Sequence, residues 1–135
     1  MSTIDEAIVA RAAAFAGLTA LIGTPPNMRL YPAVAPQNVA APYVTYQQIS
    51  GPRIHAMGAD PGVVNPRMQF SVWGRTNTEA KTVALQVMAS FSRWRGVFAT
   101  VDVLDSFLEN EADLGLEPDT KLHQRMVDFA MWHRE

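Results

Sequence analysis

Three histidines, His55, His123 and His133, and thirteen carboxylates are the side chains of this 135-residue chain best suited to acid–base or metal chemistry, and there is no cysteine. Without cysteine, disulfides, thiolate nucleophiles and cysteine zinc sites are excluded. His123 and His133 fall on one predicted strand, where a rise of ~3.3 Å per residue separates them by roughly 33 Å, too far to share a metal. His55 stands in a Gly- and Pro-rich stretch whose only nearby carboxylate is Asp60. A lone loop histidine of this kind reads as solvated rather than catalytic. Asp105, Glu109 and Glu111 alternate along another predicted strand and would share one face, where paired carboxylates could do acid–base work. No recognisable motif places a base, a nucleophile or an oxyanion donor beside them, and no loop has cation-binding spacing. The glycines form neither GxGxxG nor GxxxxGK[ST], and no serine sits in a Gly-x-Ser-x-Gly elbow. The sequence therefore points away from an enzyme, and no metal, catalytic or cofactor-binding residue is assigned.

Composition narrows the other classes. Apolar residues make up 48% and charged residues 18% of the chain, which is globular composition. The length fits one domain, residues 1–135, with enough surface to bury for a core without staples. A net charge of -2 and a pI near 5.9 argue against a dedicated nucleic-acid binder, which would show a basic face. The small cluster Arg93-Trp94-Arg95 reads better as a helix C-terminus, where cations suit the dipole. No apolar run approaches the ~20 residues of a membrane helix. Asp5 and Glu6 stand where an export signal would be basic, so the expected location is the cytoplasm.

The elements that must position these residues follow from spacing. Thr3 and Glu6 have capping-box spacing before Ile4, Ala7, Ile8, Ala12, Phe15 and Leu18, which predicts a helix over 3–16, broken at Gly17 and stopped by Gly23. Residues 24–42 carry five prolines and read as irregular, with a short edge strand over 28–31. A strand over 43–50 and a long loop over 51–65 follow. Residues 67–73 form the cleanest strand, with Met68, Phe70 and Val72 on one face and Arg67, Gln69, Ser71 and Trp73 on the other. Thr76 and Glu79 form a second capping box before Ala80, Val83, Ala84, Val87, Met88 and Phe91, a helical stripe running to about Arg93. Strands over 101–111 and 121–134 flank a turn at 115–119. This order predicts an α+β fold: a mainly antiparallel four-stranded sheet with two helices packed on one face.

Two helices cover one face only. The last strand is apolar on both: Val127, Phe129 and Met131 on one, Met126, Ala130 and Trp132 on the other. Met126, Trp132 and Trp73 are therefore candidate residues of a subunit or partner interface, unless residues 24–42 fold over them. Arg53, His55 and Asp60 of the long loop join them, since loops of that length are usually functional or disordered. Charge is also segregated. Residues 102–119 hold seven acids and no base, whereas 67–95 hold five bases against Glu79 alone. Asp105, Glu109 and Glu111 on one side and Arg93 and Arg95 on the other could steer a head-to-tail contact; the plainer reading is two solvated faces.

The chain resembles the phage tail-completion family, also described as tail-terminator or tail-to-head joining proteins. The resemblance runs in order over nearly its whole length. After the amphipathic N-terminal helix come Leu30-Tyr31-Pro32, Ala35-Pro36, Pro42-Tyr43-Val44-Thr45-Tyr46-Gln47 and Ser50-Gly51. Arg67-Met68-Gln69-Phe70-Ser71-Val72-Trp73 then leads into Thr78-Glu79-Ala80. Asn110-Glu111-Ala112-Asp113, Glu117-Pro118-Asp119-Thr120 and Asp128-Phe129-Ala130-Met131-Trp132-His133 close the set. The resemblance implies a virion structural protein that forms a ring of six subunits on the head-proximal end of a long tail. Its partners would be its own copies, the tail-tube protein and a head connector or neck protein. DNA would pass through without specific binding, and Asp105, Glu109 and Glu111 would face that lumen. It would be made in the cytoplasm of a bacterial host and end in the virion tail, whether of a phage, a prophage or a gene-transfer particle. Two rival readings stand beside it: another small neck or connector ring protein, and a small α+β enzyme or ligand-binding domain with a pocket under residues 24–42.

Overall fold

A computed structural model describes residues 3–25, 27–50, 62–119 and 121–134. Among them the chain forms helices α1 (Ile4–Ala14), α2 (Ala16–Ile22) and α3 (Asn77–Phe91). The strands are β1 (Leu30–Pro32), β2 (Tyr43–Ser50), β3 (Val63–Val64), β4 (Arg67–Gly74), β5 (Gly96–Phe98), β6 (Val101–Leu116) and β7 (His123–Arg134). The strands build one sheet in the order β1-β2-β4-β7-β6-β5, with β3 paired to β7 beside β4. All pairings are antiparallel except β1 with β2.

The α+β class and the antiparallel sheet agree with the sequence, but four strands and two helices undercount the elements. β1 answers the short edge strand expected over 28–31, shifted to Leu30–Pro32, whereas β3 and β5, of two and three residues, are additions. A strand that short cannot show a period of two, and β1 and β5 border Pro and Gly. β3 lies inside the stretch read as loop, 51–65, of which residues 51–61 lie outside the described residues. The N-terminal helix breaks at Phe15, which is extended at φ -99° and ψ 103°, and not at Gly17, which is inside α2. Gly23 does end α2, at φ +92°, a left-handed value that suits glycine. β6 runs five residues past its expected end at Glu111.

The core lies between the helices and one face of the sheet. Val44 and Tyr46 of β2, Met68, Phe70 and Val72 of β4, Val127, Phe129 and Met131 of β7, and Val101 and Val103 of β6 are buried there. Ile4, Ala7, Ile8 and Ala12 of α1, Leu18 and Ile22 of α2, and Val83, Ala84, Val87 and Phe91 of α3 face them. The strict alternation of burial along β4 is the pattern read from its sequence. Phe70 is the hub: its ring stacks on Phe91 at 4.9 Å and meets Phe129 edge-on at 6.0 Å. At the end of β4 the backbone of α3 comes so close that a Cβ on Gly74 would lie 2.6 Å from the Ala80 nitrogen.

The two expected capping boxes differ. The Thr76 hydroxyl accepts the Glu79 N–H at 3.0 Å, whereas the Thr3 side chain makes no cap bond and α1 starts on the Thr3 carbonyl. Glu79 in turn accepts the Arg75 guanidinium and then its backbone N–H, which hold its carboxyl below the usual range.

Candidate functional site

The face of the sheet away from the helices carries Trp73, Met126, Trp132 and Asp105 of the residues singled out in the sequence. Cross-strand pairing sets them in rows: Thr45, Ser71, Met126 and Ala112; then Gln47, Gln69, Asp128 and Asn110; then Arg67, Ala130 and Phe107; then Trp132 and Asp105. Met126 and Trp132 are half-buried there, and Asp128, bridged by Arg67 at 3.1 Å, is buried. Trp73 stands at a far corner, stacked on Tyr43 with centroids 6.0 Å apart and rings tilted by 22°.

Residues 33–41 arch over that corner and enclose a groove of about 650 Å³, floored by Tyr43, Thr45 and Trp73 and flanked by Arg75 and Leu122. Arg29 anchors the arch: its guanidinium donates to the carbonyls of Pro42 and Leu21, each at 2.8 Å. The 24–42 segment thus covers the Trp73 end of this face and leaves Trp132 at the other. Arg53, His55 and Asp60 lie outside the described residues.

At the Trp132 end, Asp105 pairs across the ladder with Trp132 and accepts three guanidinium bonds. Arg93 approaches as a fork, at 2.9 and 2.7 Å, and Arg95 adds a bond at 3.0 Å. The Ser106 N–H adds a fourth donor at 2.9 Å. The Arg93 bond first, and then the Arg95 and Ser106 bonds, outweigh burial and hold the Asp105 carboxyl down to about 2. Arg93 also lies over the Phe107 ring, 4.9 Å from its centroid. Asp105, Arg93, Arg95 and Trp132 are therefore one cluster, in which the acid and the bases already satisfy each other.

Glu109 and Glu111 are not beside Asp105, and the expectation that the three acids share a face is corrected. Three bulges interrupt β6: Val103 and Asp105 pair with consecutive residues of β7, as do Leu108 and Asn110, and Asp113 and Gly115. Leu104, Glu109 and Leu114 are the extra residues, and each resets the alternation. Glu111 and Asp113 thereby turn to the helix side, where Arg125 bridges them at 3.3 and 3.4 Å. Asp102 pairs with Arg134 at 3.2 Å. Arginines of the same chain thus hold four of the acids in the 102–119 run.

Sequence reasoning missed the outer edge of β6. Phe107, Leu108, Leu114 and Leu116 are all exposed along it, between 37% and 52%. β5 pairs only with Val101, Asp102 and Val103, so the rest of β6 has no outer strand among the described residues. Leu108, Leu114 and Leu116 between acids were the available signal, because a solvated strand does not need them. Among the described residues no three His, Asp or Glu side chains converge in a way that could hold a metal ion. No helix among them is long and apolar enough to cross a membrane.

These features define an α+β protein whose described residues place three helices on one face of a bulged, mainly antiparallel sheet and expose side chains along an open edge. The chain matches the family described as tail completion protein gp17 over residues 6–134, and it belongs to that family of structural tail proteins. No curated protein matches the sequence. Among solved structures it is similar to a chain described as "Virion of native gene transfer agent (GTA) particle", at 21% identity and a TM-score of 0.68, with 96% of this chain and 92% of that chain covered. At that identity the likeness concerns the fold.

Proposed function

We propose that this chain is the subunit of a six-membered ring that sits on the head-proximal end of a long phage-type tail, ends growth of the tail tube and joins tail to head. Membership of the tail completion family over residues 6–134 carries this reading. Its partners are further copies of itself, the tail-tube protein and a head connector or neck protein. DNA passes through the ring without specific binding. The whole chain acts as one domain, made in the host cytoplasm and then built into the tail of a phage or gene-transfer particle. No catalytic step is assigned to it.

Within this reading Met126 and Trp132, on the face away from the helices, together with Arg53, His55 and Asp60, contact a neighbouring subunit or the tube, while Trp73 lies beneath the 33–41 arch. The Arg93–Asp105–Arg95 cluster on one side of β6 and Glu111 on the other, with Glu109 at the bulge between them, line the charge-complementary edge of the subunit. The in-chain pairing of four acids of the 102–119 run makes that edge close to neutral, which suits a subunit boundary better than a charged DNA channel.

The test is to polymerise tail-tube protein with and without this chain and to image the products. Tubes closed at one end by a ring, with growth arrested there, are expected. Tubes that lengthen unchanged with bare ends would overturn the reading. The groove beneath residues 33–41 favours one rival, a small-molecule binder. A saturable ligand-induced rise in Tm that Trp73→Ala abolishes would support it.

A further inference from the structure

Among the described residues the sheet has two open edges, on opposite sides, and their geometry fits one to the other. On one side β1 pairs only with Val44, Thr45 and Tyr46 of β2, so Gln47 to Ser50 has no outer strand among the described residues. On the other, β5 stops at Val103 and the Arg93 N–H closes the Ser106 carbonyl at 2.7 Å, so β6 is open from Phe107 on. Three antiparallel steps separate β2 from β6, so the two strands run in opposite directions. Two copies laid side by side in the same orientation therefore bring β2 of one against β6 of the next as an antiparallel pair, the more favourable ladder.

We infer that copies of this chain join by pairing Gln47–Gln48–Ser50 of one copy with Ala112–Glu111–Asn110 of the next, which continues the sheet from subunit to subunit. The inference rests on the ring reading and supplies its contact. The bulges at Glu109 and Leu114 leave four regular residues between them, Asn110 to Asp113, and these admit only a short partner strand. The open part of β2 is that short.

The register follows from which way the peptide groups point. The Val44 N–H donates to the Arg29 carbonyl and the Tyr46 carbonyl accepts the Ala33 N–H, so Val44, Tyr46 and, two further on, Gln48 turn their peptide groups outward. On β7 the Met131 N–H donates to the Pro66 carbonyl, so alternate residues Met131, Phe129 and Val127 turn toward β4. The β6 partner of Val127, Glu111, then turns its own peptide groups to the open side. Gln48 and Glu111 also share the helix-side face, because their in-chain partners Met68 and Val127 both point into the core.

Setting Gln48 opposite Glu111 makes a hydrogen-bonded pair, and it aligns Gln47 with Ala112. With Ile49 as the extra residue of the β2 bulge, it also aligns Ser50 with Asn110. Every pair then matches in face, all three lie between the β6 bulges, and no like charges meet. The amide of Gln48 faces the carboxylate of Glu111, and the Ser50 hydroxyl faces the Asn110 amide. Pairing Gln48 with Asp113 instead would push Gln47 onto the bulge residue Leu114. A contact between two different edges leaves each copy one of each, and so it closes into a ring or runs on as a filament.

The absence of cysteine allows a direct test. Gln47 and Ala112 become a non-hydrogen-bonded pair, where Cα atoms approach to about 4.5 Å and a disulfide fits. The double variant Gln47→Cys/Ala112→Cys is oxidised under conditions where light scattering shows the native assembly, alone or on tube ends. A ladder of covalent oligomers ending at the closed ring is expected. The control Gln48→Cys/Ala112→Cys puts the thiols on opposite faces and should stay uncrosslinked. Circular dichroism confirms that both variants fold, and single-cysteine variants exclude random collision. An assembly that forms while the first pair stays monomeric on a denaturing gel, or crosslinks no better than the control, overturns the pairing and leaves the ring reading standing. Absence of any assembly, with or without tube protein, overturns both.

Discussion

Arg93, two residues past the end of α3, grips Asp105 of β6 with two parallel guanidinium bonds at 2.9 and 2.7 Å, and its backbone N–H holds the neighbouring Ser106 carbonyl at 2.7 Å. One residue thus fastens the helix layer to the strand that forms the open edge. The Asp105 carboxyl is held down to about 2, chiefly by Arg93, so it is ionised in the fold at pH values where a free aspartate is half protonated. A depressed carboxyl contributes stability that is present above the ordinary aspartate range and lost as pH falls toward 2. Asp105→Asn is expected to lower Tm by a few degrees at pH 6, with the difference from the native chain shrinking between pH 4 and pH 2. Parallel thermal melts across that range check it; a difference that does not change with pH would contradict the assignment.

Gly74 tests the contact between β4 and α3. A Cβ there would lie 2.6 Å from the Ala80 nitrogen and 2.9 Å from its Cα, both backbone atoms that cannot swing aside. Gly74→Ala should cost about 1–3 kcal/mol, as overpacking does, read as a lower urea midpoint with an unchanged slope.

The aromatic hub makes a larger claim. Phe70 is fully buried between Phe91 and Phe129. Phe70→Ala should cost about 3–5 kcal/mol. The loss is a large fraction of the usual stability of a domain, and thermal melts followed by circular dichroism should show a markedly lower Tm.

The two helix caps should respond differently. Thr76→Ala removes the bond to the Glu79 N–H and should cost about 1 kcal/mol. Thr3→Ala removes no cap bond and should leave chemical stability nearly unchanged. Equal losses at both sites would contradict the geometry.

How far the sequence could be read depended on whether a regular period survived. The alternation of β4 and the stripe Ala80, Val83, Ala84, Val87 and Phe91 of α3 were both legible, because each runs unbroken over whole turns or pairs. β6 was not, because Leu104, Glu109 and Leu114 each insert one residue and exchange the faces of everything that follows. That is why Asp105 and Glu111, six positions apart and formally on one face, lie on opposite ones. Arg93, Arg95 and Asp105 were each singled out, but not their union, which depends on the left-handed turn at Arg93, φ +54°, that carries the chain from α3 into β5. The open stretches of β2 and β6 escaped notice because an edge is defined by where its neighbour stops, and neither the expected edge strand β1 nor the short β5 shows that in its own residues.

Closure of this chain into a ring is tested most directly by its mass in solution. Light scattering across a concentration series, with and without tail-tube protein, should show the 14.8 kDa chain giving way to a species of six times that mass or to occupied tube ends. A monomer at every concentration that ignores the tube would contradict the account.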